Sequence, residues 1–182
     1  QAYSSGLFPM ADLKTGKISW YQPDPRGIIP LDHLHVSRSL RKLIKKNAYR
    51  VTYSEAFVDV MKQCSMRKET WISEAFITAY SKMNRMGAAQ SVEIWEGKEL
   101  VGGVYGLNMG GAFFAESMFH RRDNTSKLAL YYLVKKLKEC DFSLLECQFL
   151  TDHLRSLGAV EISNEAYQNI LQKAIIKDVF FH

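Results

Sequence analysis

Two glutamates interrupt runs that otherwise read as core. Glu116 lies in Phe113-Phe-Ala-Glu-Ser-Met-Phe119, and Glu146 lies in Leu144-Leu-Glu-Cys-Gln148. Apolar runs of this length read as strands, and an unpaired carboxylate buried inside one costs several kcal/mol. Each glutamate therefore either faces outward at a sheet edge, the commoner case, or is buried beside a partner. If both converge, they form a cleft floor suited to a cationic or amine substrate. Gln148 stands two residues beyond Glu146, so on a strand the two side chains share one face.

A second feature is electrostatic. The net charge is +5, and its excess sits in one place. Between His33 and Ser54 there are six bases and no acid, which leaves 18 bases against 19 acids in the rest of the chain. Ser37 is suited to cap a helix running to Lys46. Wound at 3.6 residues per turn, that helix places Arg38, Lys42 and Lys45 on one narrow stripe. Val36, Leu40, Leu43 and Ile44 fall opposite, so the helix can bury one face and present a cationic ridge. Such a ridge suits phosphates, whose binding weakens with salt at a log–log slope of about −0.7 to −0.9 per contact. Trp71, just before another helix start, either packs in the core or stacks on a nucleobase.

Several chemistries lack their residues. Cys64, Cys140 and Cys147 are odd in number and form no CxxC pair, which argues against a disulfide scaffold or zinc ribbon and for a reducing cytoplasm. No apolar run approaches the roughly 18 residues of a membrane span, and no leader or lipidation motif is visible. The five histidines show no metal spacing, and no Ser/Cys–His triad can be argued from position. Gly102-Gly103 and Gly110-Gly111 match neither phosphate-loop pattern, which excludes nucleotide-triphosphate and dinucleotide sites.

These residues need elements to position them. With 182 residues, 47% apolar and 24% charged, the chain can bury a core. Residues 1–33 hold all four prolines and read as shaped loop rather than helix or central strand. After the basic helix comes a strand over Tyr49–Tyr53, then a helix capped by Ser54 and ending near Met66. A further helix spans Ser73–Met86 and is stopped by Gly87. Gln90–Trp95, Glu99–Leu107 and Ala112–Phe119 form an antiparallel meander. A buried helix over Thr125–Cys140 leads to a strand over Phe142–Cys147, and short helices follow around Asp152–Leu157 and Asn164–Ala174. The fold class is α/β (α+β), built on one central, mostly antiparallel sheet.

Collinear blocks carry a resemblance. They include Ala2-Tyr-x-x-Gly6-x-Phe8-Pro9, Gln22-Pro-Asp-Pro-Arg26, Leu34-His-Val-Ser-Arg-Ser39, Glu69-Thr-Trp-Ile72, Leu100-Val-Gly-Gly-Val-Tyr-Gly106, Glu116-Ser-Met-Phe119, Cys147-Gln148 and Asp152-His-x-x-Ser-Leu-Gly-Ala159. Together they resemble the bacterial leucyl/phenylalanyl-tRNA–protein transferases over nearly the whole chain. The resemblance implies a GNAT-like acyltransferase domain over 54–182, preceded by an N-terminal region 1–53 that carries the tRNA-binding helix and is truncated at its start. It implies a cytoplasmic, monomeric enzyme without metal or cofactor. That enzyme moves Leu or Phe, with Met as a third donor, from aminoacyl-tRNA to proteins beginning with Lys or Arg, marking them for degradation. Residue by residue, Arg38, Lys42, Lys45 and Trp71 take the tRNA side, with Trp71 stacking on the 3′-adenosine. Glu116 lines the aminoacyl site, and Gln148 with Glu146 serves the attacking amine. Val104, Ser117, Leu130, Leu133 and Met10 form the aminoacyl pocket. Glu146 replaces the family's usual Asp, and Met10 replaces a Trp. An acidic catalytic end would suit the cationic acceptor. The rivals are a leucyltransferase acting on Asp/Glu N-termini and a non-catalytic tRNA-binding module.

Overall fold

The structure, a computed structural model, describes residues 2–12, 15–67 and 70–182. Glu69 of the Glu69-Thr-Trp-Ile72 block lies outside the described residues. A 3-10 turn at Tyr3–Ser5 precedes β1 (Phe8–Ala11), β2 (Ile18–Tyr21) and β3 (Arg26–Ile28). Next come α1 (Arg38–Lys46), β4 (Arg50–Tyr53), α2 (Phe57–Ser65) and α3 (Glu74–Arg85). The meander is β5 (Ala89–Glu96), β6 (Glu99–Met109) and β7 (Ala112–His120). The chain closes with α4 (Thr125–Glu139), β8 (Leu144–Gln148), α5 (Asp152–Arg155), β9 (Val160–Ile162) and α6 (Asn164–Ile175).

Local chemistry sets most of these boundaries. Ser37 caps α1 by accepting from the Leu40 N–H at 3.2 Å, and Asn47 ends it in the left-handed region at φ 48. Leu40 is buried, whereas Arg38, Lys42 and Lys45 are exposed, as the stripe required. Ser73 caps α3, and Gly87 follows its end at φ 77. Ser54 does not cap α2. It sits at φ 55 and its hydroxyl bridges to β5, donating to Gln90 Oε1 and accepting from the Ser91 N–H. A cross-strand partner won over the local one.

Seven strands form one sheet in the order β4-β5-β6-β7-β8-β3-β9. Every neighbouring pair is antiparallel except β7 and β8, which α4 joins in parallel. The expectation that residues 1–33 are loop alone is corrected here. β1 and β2 pair as a separate hairpin, and β3 lies inside the large sheet between β8 and β9. Three residues are too few to show a period, and the prolines before them mask the strand. Two cores flank the sheet. One gathers Leu40, Val104, Phe113, Leu130 and Leu133 beneath α1 and α4; the other gathers Phe57, Val60, Phe76, Tyr105, Phe114 and Leu171 beneath α2, α3 and α6.

Two irregularities matter for chemistry. Along the β6–β7 ladder Tyr105 faces Ser117 but Gly106 faces Ala115, so Glu116 is the extra residue of a β-bulge. Along the β3–β8 ladder Gly27 faces Gln148 but Ile28 faces Glu146, which leaves Cys147 as the extra residue. The parallel pairing of β7 with β8 stops at Phe114–Glu146. Beyond that rung each strand stays with its other neighbour, and a wedge opens between them.

Gly106 makes the first bulge possible. A Cβ there would lie 2.2 Å from the Phe114 carbonyl oxygen and 2.5 Å from the Phe113 ring. Backbone cannot move aside as a side-chain tip can, so Gly106→Ala is expected to cost roughly 3 kcal/mol or more. Urea denaturation measures this directly, and an unchanged midpoint would show that the strand spacing is not set here.

Candidate active site

The wedge between β7 and β8 holds a cavity of about 280 Å³. Its apolar wall includes Ile29, Val104, Ala115, Leu130 and Leu154; its polar groups are Arg67, Glu116, Ser117, Gln148, Thr151 and His153. The bulge turns Glu116 inward, where Tyr3 OH donates to its Oε1 at 2.6 Å and also meets Tyr80 OH at 2.7 Å. Its second oxygen has no hydrogen bond among the described residues. Burial is the main reason that the Glu116 carboxyl is pushed up to about 8, and the Tyr3 hydrogen bond opposes it. At neutral pH this carboxyl is largely protonated. An incoming ammonium would pull it to the ionised form.

Gln148 ends β8 at φ 59, a left-handed conformation rarely taken by glutamine. It lines the cavity, and its buried side-chain Nε2 has no partner among the described residues. A buried donor left unpaired is destabilising by about 1–3 kcal/mol, which a ligand acceptor would relieve.

Glu146 does not join Glu116 on the cavity floor. It is fully buried behind the wall, where its Oε1 accepts from Arg26 Nε at 2.8 Å and from the Gln148 N–H at 3.1 Å. Its Oε2 accepts from Tyr167 OH at 3.3 Å. Burial pushes the Glu146 carboxyl above the ordinary carboxylate value, and Arg26 is the largest opposing influence. The expected pair of convergent carboxylates is therefore corrected to one, because the charge on Glu146 is matched by a guanidinium 120 residues away in sequence. The expectation of an acidic catalytic end changes with it. The cavity sets one raised carboxyl beside Arg67 and His153, and burial, then Lys127 and His120, hold His153 below its usual value and neutral at pH 7.

Among the expected pocket residues, Val104, Ser117 and Leu130 line the cavity. Leu133 does not; one helical turn beyond Leu130, it is fully buried in the core behind the wall. Met10 lies on β1, opposite Ser19, and is also outside the wall. Trp71 is half-buried, its ring 5.2 Å from Phe76 in an edge-on contact at the rim of the second core. Arg38, Lys42 and Lys45 make no ion pair among the described residues, and Lys42 helps line a groove of about 570 Å³ between α1 and the start of α4. Sequence reasoning missed Arg26, Tyr3, Arg67 and His153. Only the Gln22-Pro-Asp-Pro-Arg26, Ala2-Tyr and Asp152-His blocks pointed near three of them, and Arg67 carried no signal.

Comparison with known proteins matches this frame to one family. Residues 28–172 match the family model described as leucyl/phenylalanyl-tRNA protein transferase, and residues 1–24 match that of its N-terminal domain. The leucyl/phenylalanyl-tRNA–protein transferase of Rhizorhabdus wittichii is 48% identical over 180 residues, covering 96% of this chain and 73% of that protein. The chain belongs to the leucyl/phenylalanyl-tRNA–protein transferase family. The transferase of Chlorobaculum parvum is 46% identical over 185 residues, covering all of this chain and 95% of that protein. The solved structure of L-PGS from Bacillus licheniformis shares the fold at TM-score 0.51 and 12% identity, over 84% of this chain and 65% of that one. A GCN5-related N-acetyltransferase from Kribbella flavida overlaps at TM-score 0.44 and 13% identity, over 78% of this chain and 55% of that one. Membership makes the protein an aminoacyltransferase, with aminoacyl-tRNA and a protein as substrates. No helix among its described residues is long and apolar enough to cross a membrane.

Proposed function

We propose that this transferase, acting as a monomer in the cytoplasm, moves Leu or Phe from aminoacyl-tRNA to the α-amine of proteins beginning with Lys or Arg, marking them for degradation. The observation that carries the reading is a Glu116 oxygen and a Gln148 amide, neither with a partner among the described residues, lining one cavity with an apolar wall. The donor's side chain enters between Val104 and Leu130 beside Ser117, and its amino group meets Glu116. Gln148 orients the acceptor amine against the ester carbonyl. The new bond is the amide C–N; the bond broken is the ester C–O, and the ribose hydroxyl departs with a proton from the amine. An aminoacyl ester is already activated, so most of the acceleration comes from placing its carbonyl and the amine at attack distance. Glu146 helps by fixing Gln148. The region 1–53 brings the tRNA through Arg38, Lys42 and Lys45, Trp71 offers its half-exposed ring to the terminal adenosine, and 54–182 lines the cavity together with Ile29.

The test is transfer of radiolabelled Leu or Phe from tRNA to peptides beginning with Arg or with Asp. Labelling of the Arg peptide alone is expected. Labelling of the Asp peptide alone would support an acidic-acceptor enzyme, and donor binding without any transfer would leave a tRNA-binding module. Gln148→Ala is expected to lower kcat about 100-fold, since mispositioning of this size costs that much, with donor KM little changed.

A further inference from the structure

We propose that Arg26 is a positioning residue for the transfer: its buried guanidinium ties together two groups that line the cavity, Glu116 and Gln148. The inference rests on the assignment of those two groups to the reaction. Arg26 is 0% exposed and uses its whole fork. Nε donates to Glu146 Oε1 at 2.8 Å, Nη1 to the Gly6 carbonyl at 2.7 Å, and Nη2 to Tyr167 OH at 3.4 Å. Its guanidinium carbon lies 4.3 Å from the Tyr167 ring centroid and 5.2 Å from that of Phe8.

Two arms leave this centre. Along the first, the Glu146 oxygen held by Arg26 also accepts the Gln148 N–H at 3.1 Å. That bond holds Gln148 in its left-handed conformation, so its side chain lines the cavity instead of sharing the face of Glu146 as regular strand spacing would require. Along the second, Gly6, whose carbonyl Arg26 grips, donates its N–H to the Tyr3 carbonyl at 3.0 Å, and Tyr3 OH donates to Glu116 at 2.6 Å. One planar group thus sets the distance between the holder of the donor amine and the holder of the acceptor amine.

Stability alone is a poor reason for such a centre. A buried ion pair is often no better than apolar residues of equal volume. What the fork offers beyond charge is three directed donors at fixed angles, and a lysine could reach Glu146 without reproducing them.

The experiment compares wild type, Arg26→Lys and the uncharged R26M/E146M by thermal melting and by steady-state transfer to an Arg peptide. R26K is expected to lower kcat about 10-fold, and R26M/E146M about 100-fold, with donor KM within about threefold of wild type. R26M/E146M should stay folded but melt below wild type, because it leaves the Gln148 N–H, the Gly6 carbonyl and the Tyr167 hydroxyl without these partners. Combining R26K with Gln148→Ala should cost less than the product of the two single losses, because both act through Gln148. The proposal is overturned if either folded variant keeps kcat within twofold of wild type, or if the loss falls on KM alone. Failure of both variants to fold would also overturn it, by making Arg26 a residue of stability alone. A wild type without transfer would instead remove the underlying functional assignment.

Discussion

Replacing Glu116 by Gln is expected to remove most of the transfer activity while making the folded protein more stable at pH 8. The activity loss follows from the donor amine. A carboxylate–ammonium hydrogen bond contributes about 1.5–3 kcal/mol, so kcat/KM should fall roughly 10- to 100-fold. The stability gain follows from linkage. The folded carboxyl titrates near 8 and the unfolded one near 4.5, so between those values the folded state holds a proton that the unfolded state has lost. Wild-type stability therefore falls as pH rises through this window. Glutamine has no such proton, keeps an acceptor for Tyr3 OH, and escapes that loss. Melting curves of both proteins from pH 5 to 8.5 should show a difference near zero at the acid end that widens steadily to the alkaline end. A difference that does not change with pH would mean that Glu116 is ordinarily ionised. The same titration predicts that wild-type transfer at subsaturating donor rises with pH up to about 8.

Neutralising the α1 stripe in the triple variant R38A/K42A/K45A is expected to weaken aminoacyl-tRNA binding on the order of 100-fold near physiological salt, through KM rather than kcat. The three side chains are exposed and have no acidic partner among the described residues, so their charge is fully available to phosphates. Each lost phosphate contact should also flatten the log–log salt dependence by about 0.7 to 0.9. Binding measured between about 50 and 200 mM salt should therefore lose roughly 2 units of slope. A variant with weaker binding but an unchanged slope would place the tRNA backbone elsewhere. Folding should be little affected, since Leu40, Leu43 and Ile44 carry the packing of this helix.

Gln148, Glu116 and Arg26 were unequally legible. Gln148 stands out in the sequence because it follows Glu146 in an apolar strand and matches a family block, yet nothing local showed its left-handed backbone. Glu116 stands out as a charge out of place, but its direction depends on a bulge made by the pairing of Gly106 with Ala115. Arg26 stands out only as the last residue of a family block, with no role attached to it. Its Pro-rich setting reads as loop, and its partners Gly6, Glu146 and Tyr167 lie 20, 120 and 141 residues away. Leu133 and Met10, named by the resemblance, lie outside the wall of this cavity, because a matched position does not say which side chains border an opening between strands.

By itself the sequence determined what depends on neighbours within a few residues: the cationic stripe and buried face of α1, the meander, the buried α4 and the family blocks. Those follow from periodicity, capping and turn chemistry, which act over one or two turns of chain. The tertiary structure alone decided where β7 and β8 part, which carboxylate faces the cavity and which is neutralised behind it. Those outcomes depend on strand register and on a guanidinium delivered from the far end of the chain, and no local pattern encodes either.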